Sequence, residues 1–216
     1  MNIKTFSYRF SEEILEHKHY IKAYDEIIQI CKNCPLPVYK NKSKAQPNLD
    51  VVQQIINTYF KVAFSNKEWE EEPLVTPNSL DDSLRGDFRK KFTNQDKSIS
   101  IQIEVEMGNI ASSYRNYFKF QLSYAYKLAD IAILILPCDS LSKRIDSGVA
   151  SFEKTVREIP SADLSITVPI LVIGLDDIET KEMNISEIET NLEIVKGSKN
   201  SYKKDHLKLV RSLLNN

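Results

Sequence analysis

From Ile131 to Leu136 the chain is unbroken apolar, Ile-Ala-Ile-Leu-Ile-Leu, and it stops at Pro137. A run of this length and composition marks a central strand buried on both faces. Pro169 to Ile173 is a second buried run, closed by Gly174. A third strand reads differently. From Ser98 to Met107 the residues alternate strictly, with Ile99, Ile101, Ile103, Val105 and Met107 on one side. Ser98, Ser100, Gln102, Glu104 and Glu106 take the other, so this strand has one polar face. Gly108-Asn109 ends it.

Helical spacing fills the intervals. Ser11 to Cys31 places Ile14, Leu15, Ile21, Tyr24, Ile27 and Ile28 mainly on one side, with Ser11 as its start and Pro35 and Pro37 as its stop. A second helix is predicted over 51–64, capped by Asn48 or Asp50. Others are predicted over 111–128 and 147–159, and the tail from Glu187 reads as helical in parts with a break at Gly197 to Ser201. Val38 to Pro47 is a basic, polar loop, and Asn66 to Arg85 an acidic connection containing proline. Helices alternating with three core strands predict an α/β fold, a central mixed β-sheet flanked by helices. The 216 residues suit one domain, with a catalytic core at about 50–175 and a basic tail at about 187–216.

Several function classes drop out. No apolar run reaches the length of a membrane span, and Met1 to Tyr20 is polar, without a signal-peptide core. Lys and Arg number 29 against 30 Asp and Glu, so any DNA-binding face must be local. Three cysteines make no disulfide framework, which reads as an intracellular chain. Cys31-Lys32-Asn33-Cys34 has zinc or redox spacing, but no second ligand pair follows; Cys138 stands alone, and His17 and His19 lie upstream on a helix. The plainer reading is a pair of small residues ending a helix before Pro35.

The chemistry gathers on the alternating strand. Glu104 and Glu106 are one residue apart and point to the same side of the sheet. That pattern alone also describes a solvated strand edge. The two glutamates, however, end the strand where it meets a helix. Asp87 lies 17 residues before Glu104, near the start of a hairpin partner strand that would bring it alongside. Asp plus Glu-x-Glu is a divalent-metal pattern for phosphodiester hydrolysis. Hard oxygen ligands suit Mg2+, and the second glutamate is then free to orient or deprotonate the attacking water.

The segment Glu104-Val-Glu-Met-Gly-Asn-Ile-Ala-Ser-Ser-Tyr-Arg115 resembles the catalytic strand and following helix of type II restriction endonucleases of the BamHI/BglII group, within the PD-(D/E)XK nuclease superfamily. Gly86-Asp87-Phe88, Asp130 to Pro137, Phe152-Glu153, Pro169 to Gly174 and Lys196-Gly197-Ser198 follow in the same order and spacing. The resemblance implies metal ligation by Asp87, Glu104 and the carbonyl of Val105. It puts Glu106 where most nucleases of this fold have Lys. An upstream acidic ligand falls on Glu70 by equal spacing, or on Glu71 by the Pro-Leu pair that follows; Glu68, Glu70, Glu71 and Glu72 otherwise read as a solvated acidic run. It further implies that Asn109, Ala111 and Arg115 face the major groove, Asn109 reading inner base pairs. Asn109 could equally be a turn residue after Gly108, and Arg115 a phosphate contact.

Two places depart from the group. Where it has an adjacent Asp-Arg pair reading outer base pairs, this chain has Ser147-Gly148, with Arg144 and Asp146 close by. In the tail, Lys199-Asn200-Ser201 replaces an Asp-Gly-Met segment. Six Lys or Arg stand against one Asp between Lys196 and Arg211, a solvated basic helix or, by the resemblance, an arm along DNA. The resemblance as a whole implies a homodimer making Mg2+-dependent double-strand cuts in a short palindrome, with one or two ions per site. It implies a related target with a GATC core and 5' overhangs, a DNA methyltransferase as genetic partner, and a prokaryotic cytoplasm. Two rivals remain from the residues alone. A non-catalytic DNA-binding protein would need no carboxylate triad. A small-molecule metal phosphoesterase would need more histidines than His17, His19 and His206.

Overall fold

The computed structural model describes residues 1–77, 84–162 and 165–214. In chain order the elements are β1 (Asn2–Tyr8), α1 (Ser11–Leu15), α2 (Ile21–Lys32), β2 (Leu36–Val38), α3 (Gln53–Ser65), β3 (Glu70–Glu71), β4 (Phe88–Asn94) and β5 (Lys97–Val105). Then come α4 (Ile110–Ala125), β6 (Ile131–Pro137), α5 (Asp139–Ile145), α6 (Phe152–Glu158), β7 (Ile170–Asp176), β8 (Glu182–Asn184), α7 (Leu192–Lys196) and α8 (Lys203–Leu214). Six strands form one sheet in the order β1-β7-β6-β5-β4-β3. Its centre, β5-β6-β7, is parallel, and both flanks are antiparallel. β2 and β8 make a separate parallel ribbon.

The alternation along β6 sorts the core into two layers. Ile131, Ile133 and Ile135 join Ile101, Ile103, Leu171 and Ile173 under Ile27 of α2, Phe60 of α3 and Val210 of α8. Ala132, Leu134 and Leu136 join Ile170 and Val172 under Phe120 of α4 and Phe152 of α6. Every residue of β6 and β7 is buried. Each large apolar side chain so covered contributes about 1.5–3 kcal/mol. The mixed sheet flanked by helices is the expected fold class.

The polar face of β5 excludes the solvated-edge alternative at its C-terminal end. Gln102 and Glu104 are fully buried, not a solvated edge. The helix above them supplies polar partners, among them Ser123, whose hydroxyl donates to Gln102 Oε1. A buried polar group is tolerated only when so satisfied.

Other boundaries shift for local reasons. The first long helix is two, α1 and α2, separated by a turn in which the Tyr20 and Ile21 amides donate to the His17 carbonyl. α1 starts at Ser11 as expected, with Ser7 Oγ accepting from the Glu12 amide. Neither Asn48 nor Asp50 caps α3, which starts after Val52 without a side-chain cap. Asp50 is instead held by Arg144. The helix expected from Ser147 begins only at Phe152. Ile110 and Ala150 amides donate to the Gly148 and Gly108 carbonyls, which ties residues 148–150 to the start of α4. β7 runs through Gly174 to Asp176; a Cβ there would stand 2.6 Å from the Phe152 side chain, so glycine admits Phe152 rather than ending the strand. β1, a polar edge strand, and the short α5 escaped the periodicity reading.

Cys31 lies in the last turn of α2, Cys34 follows the helix, and both are buried free thiols. Burial pushes both thiols well up, against a role as ligand or nucleophile. In the tail, Gly197 ends α7 in the left-handed conformation. Among the described residues no helix is long and apolar enough to cross a membrane.

Candidate active site

The β4–β5 hairpin aligns Phe88 with Ile103, which sets Asp87 abreast of Glu104. The Val105 amide donates to Asp87 Oδ2 at 2.7 Å. This is the juxtaposition that the hairpin reading called for. Glu104 is only 1% exposed. Its two oxygens have separate partners: Gln102 Nε2 donates to Oε1 at 3.2 Å, and Lys119 Nζ to Oε2 at 2.6 Å. Gly86 makes room for this pair, since a Cβ there would come within 2.9 Å of both Gln102 Nε2 and Glu104 Oε1.

Glu106 lies just beyond the strand and is also held at both oxygens. The Gly108 amide donates to Oε1 at 2.9 Å and Asn116 Nδ2 to Oε2 at 3.1 Å. Arg115, Asn116 and Lys119 of α4 line one cleft with Asp87, Glu104, Val105 and Glu106. Asp87 and Val105 also line a neighbouring cleft with Asn57, Lys61, Glu71 and Glu72.

All three carboxylates are held above their ordinary range, and desolvation is the main cause in each. Burial, reinforced by the charge of Asp87, pushes Glu104 up to about 8, with Lys119 and Gln102 limiting the rise. Burial raises Asp87 against the Val105 amide and Lys119, and Glu72 adds to the rise. Burial likewise raises Glu106 against its hydrogen bonds from Gly108 and Asn116. Crowded, desolvated carboxylates of this kind call for a cation.

The donor set fits a hard divalent ion. Asp87 and Glu104 offer carboxylate oxygens side by side. Among the described residues no three acidic, histidine or cysteine side chains form a ready-made shell. Two carboxylates with water and phosphate completing the sphere is the usual arrangement for Mg2+.

The remaining candidates divide. Glu70 does not join Asp87: it is exposed and pairs with Arg89 at 3.7 Å, while its neighbours Glu71 and Glu72 line the cleft beside Asp87. In a strand, successive side chains take opposite faces, which is why Glu70 and Glu71 part here. Glu71 is bound by Ser65 and by Lys61 at 3.0 Å. Asn109 is exposed and caps α4, its Oδ1 accepting from the Ala111 amide at 2.8 Å. Ala111 and Arg115 are exposed on the same helix start. Asp146 and Ser147 are exposed in the loop that Val149 bridges to Asn109, so the structure does bring these groups together. Arg144 is placed otherwise. Its guanidinium binds Asp50, Asp177 and Glu182 at 2.6–3.0 Å, an inter-element clamp whose loss would strand three carboxylates. Lys199, Asn200 and Ser201 form an exposed turn between α7 and α8, with Lys199 paired to Glu193.

Gln102, Asn116, Lys119 and Gly86 were given no site role from the sequence. Asn116, Lys119 and Ser123 fall at i, i+3 and i+7, one face of a helix, and that spacing was the available signal.

The mixed six-stranded sheet flanked by helices is the fold of a restriction endonuclease. The chain matches the profile of the restriction endonuclease BglII/BglIII family over residues 3–175 and belongs to that family. The type II restriction enzyme BamHI of Bacillus amyloliquefaciens is 24% identical over 176 residues, 77% of this chain and 79% of the relative. The crystal structure of restriction endonuclease BglII complexed with a DNA 16-mer matches with a TM-score of 0.64 at 19% identity, covering 82% of this chain and 77% of that one. The protein is a type II site-specific deoxyribonuclease.

Proposed function

We propose that the protein is a homodimer that makes Mg2+-dependent double-strand cuts in a short palindromic DNA site. The observation that carries this reading is the alignment of Asp87 with Glu104 beside Glu106, at the sheet end from which α4 departs. Asp87, Glu104 and the Val105 carbonyl would hold the ion, with Glu71 or Glu72 as the upstream acid. When bound, the ion supplies charge neutralisation at the scissile phosphate and lowers the pKa of its water.

Glu106 accepts the proton of the attacking water. Its raised pKa brings it closer to the working range of a general base, and its two hydrogen bonds fix its orientation. Arg115, at the mouth of the cleft, holds a phosphate. Asn109 and Ala111 address inner base pairs from the N-terminus of α4, and Asp146 and Ser147 lie beside them to address outer ones. The turn at Lys199, Asn200 and Ser201 follows the backbone.

The homodimer has its own support. α4 exposes Tyr114, Phe118 and Tyr124, with Phe118 58% exposed, and such a face suits a second copy. A palindrome requires two sites related by a two-fold axis. The family resemblance at Asn109 supports a GATC core, and 5' overhangs, a cognate methyltransferase and a prokaryotic cytoplasm accompany that reading.

The test is incubation of purified protein with phage or plasmid DNA and Mg2+, with Asp87→Asn as control. Discrete fragments from the wild type alone support the proposal, and mapping their ends gives the site. Intact DNA, a smear, or fragments from the variant as well would overturn it.

A further inference from the structure

We propose that Lys119 is the resident counter-ion of the acidic site, holding Glu104 in the metal-free protein and competing with the divalent ion for it. This rests on the reading of Asp87 and Glu104 as metal ligands. Lys119 Nζ lies 2.6 Å from Glu104 Oε2, with its side chain only 14% exposed. No other cationic side chain is paired with Glu104, Asp87 or Glu106 in the ion pairs of the described residues. The ammonium also lowers the cost of ionising Asp87 and Glu106, so it acts on the group and not on one partner.

The backbone makes this placement specific. Lys119 follows Asn116 by three residues and Arg115 by four, so one face of α4 delivers all three to the cleft. Asn116 binds Glu106 while Lys119 binds Glu104. Gln102 takes the other Glu104 oxygen and is itself braced by Ser123 of the same helix. An ammonium on Oε2 blocks the lone pair that an incoming ion would use, and like charge opposes that ion. Lys119 is therefore a positioning residue: it keeps the desolvated carboxylates together until a stronger cation replaces it.

The test uses the full-length protein without DNA at mildly alkaline pH, where protons compete least. Binding of Mn2+ alone is followed by the loss of its free EPR signal, and metal-free stability by thermal unfolding. Lys119→Met is expected to bind Mn2+ at least about fivefold more tightly while unfolding at a lower temperature without metal. Lys119→Arg should keep both properties near wild type. The double variant Glu104→Gln, Lys119→Met should recover metal-free stability, because the buried charge is gone with its partner. Unchanged or weaker Mn2+ binding in a folded Lys119→Met protein overturns the inference and leaves the metal site intact. If Lys119→Met does not fold, failure of the double variant to restore folding overturns it equally. Mn2+ binding that survives Asp87→Asn unaltered, or is absent from the wild type, overturns the site reading and the inference with it.

Discussion

Replacing Glu104 with Gln tests whether the site is as desolvated as its geometry indicates. The side chain is 1% exposed, so solvent screening offers no discount. Burial, with Asp87, pushes its pKa up to about 8, from an ordinary value of about 4.3. Below about pH 8 a carboxyl raised in this way stays protonated in the folded protein, and its ion pair with Lys119 forms as pH rises through that value, whereas the unfolded chain has already released its proton. Stability is therefore fully present below the unfolded pKa and is lost as pH rises toward the folded one. One proton of difference gives about 1.4 kcal/mol per pH unit. Between about pH 5 and pH 8 the metal-free wild type should lose up to roughly 4 kcal/mol relative to Glu104→Gln. The assay is urea unfolding of both proteins in chelator across that window. The two should be nearly equally stable at the acid end, with the variant the more stable at the alkaline end and yet inactive. Parallel curves would refute the reasoning, and would mean that water reaches Glu104.

Asp87→Asn should reduce single-turnover cleavage by at least about a thousandfold while gel-shift affinity for cognate DNA persists; comparable losses of both would make Asp87 a binding residue. Gly86→Ala should drive a methyl group into Gln102 and Glu104, lowering cleavage by about a hundredfold with a smaller fall in thermal stability, since the contact sits at 2.9 Å on polar side-chain ends. Wild-type cleavage in that variant would show that Gln102 does not position Glu104. Glu106→Lys should be impaired by at least about a hundredfold across a Mg2+ titration, because it loses the proton acceptor and adds like charge beside the ion; near-wild-type rates would remove Glu106 from water activation.

The parts of this structure that the sequence disclosed are those in which one residue's neighbours enforce its environment. Six apolar residues at 131–136 leave no alternative to a strand covered on both faces, and β6 is that strand. The pairing of Asp87 with Glu104 was legible because hairpin register follows from spacing. The polar face of β5 was not, because alternation states which side a residue takes and not what covers that side. Only the packing of α4 across β5 turns Gln102 and Glu104 from surface residues into buried ones. Arg144 misled for the same reason: Asp50, Asp177 and Glu182 come from three distant segments, and no local pattern announces their convergence. Glu70 and Glu71 differ only in which face of a two-residue strand they take, a distinction set by pairing with Arg89 and Phe88.

Charge in the cleft is distributed over two elements. β5 and its hairpin partner bring three carboxylates within mutual reach, an arrangement unfavourable in itself once water is excluded. α4 answers with Asn116 and Lys119, one turn apart, and with the amide of Gly108 at its approach. The helix that would face DNA with Asn109 and Arg115 is thus the same rigid body that fixes the carboxylates. A shift of α4 on meeting bases would be felt at Glu104 and Glu106 without any intervening loop. The eleven residues from Asn109 to Lys119 carry both ends of that body.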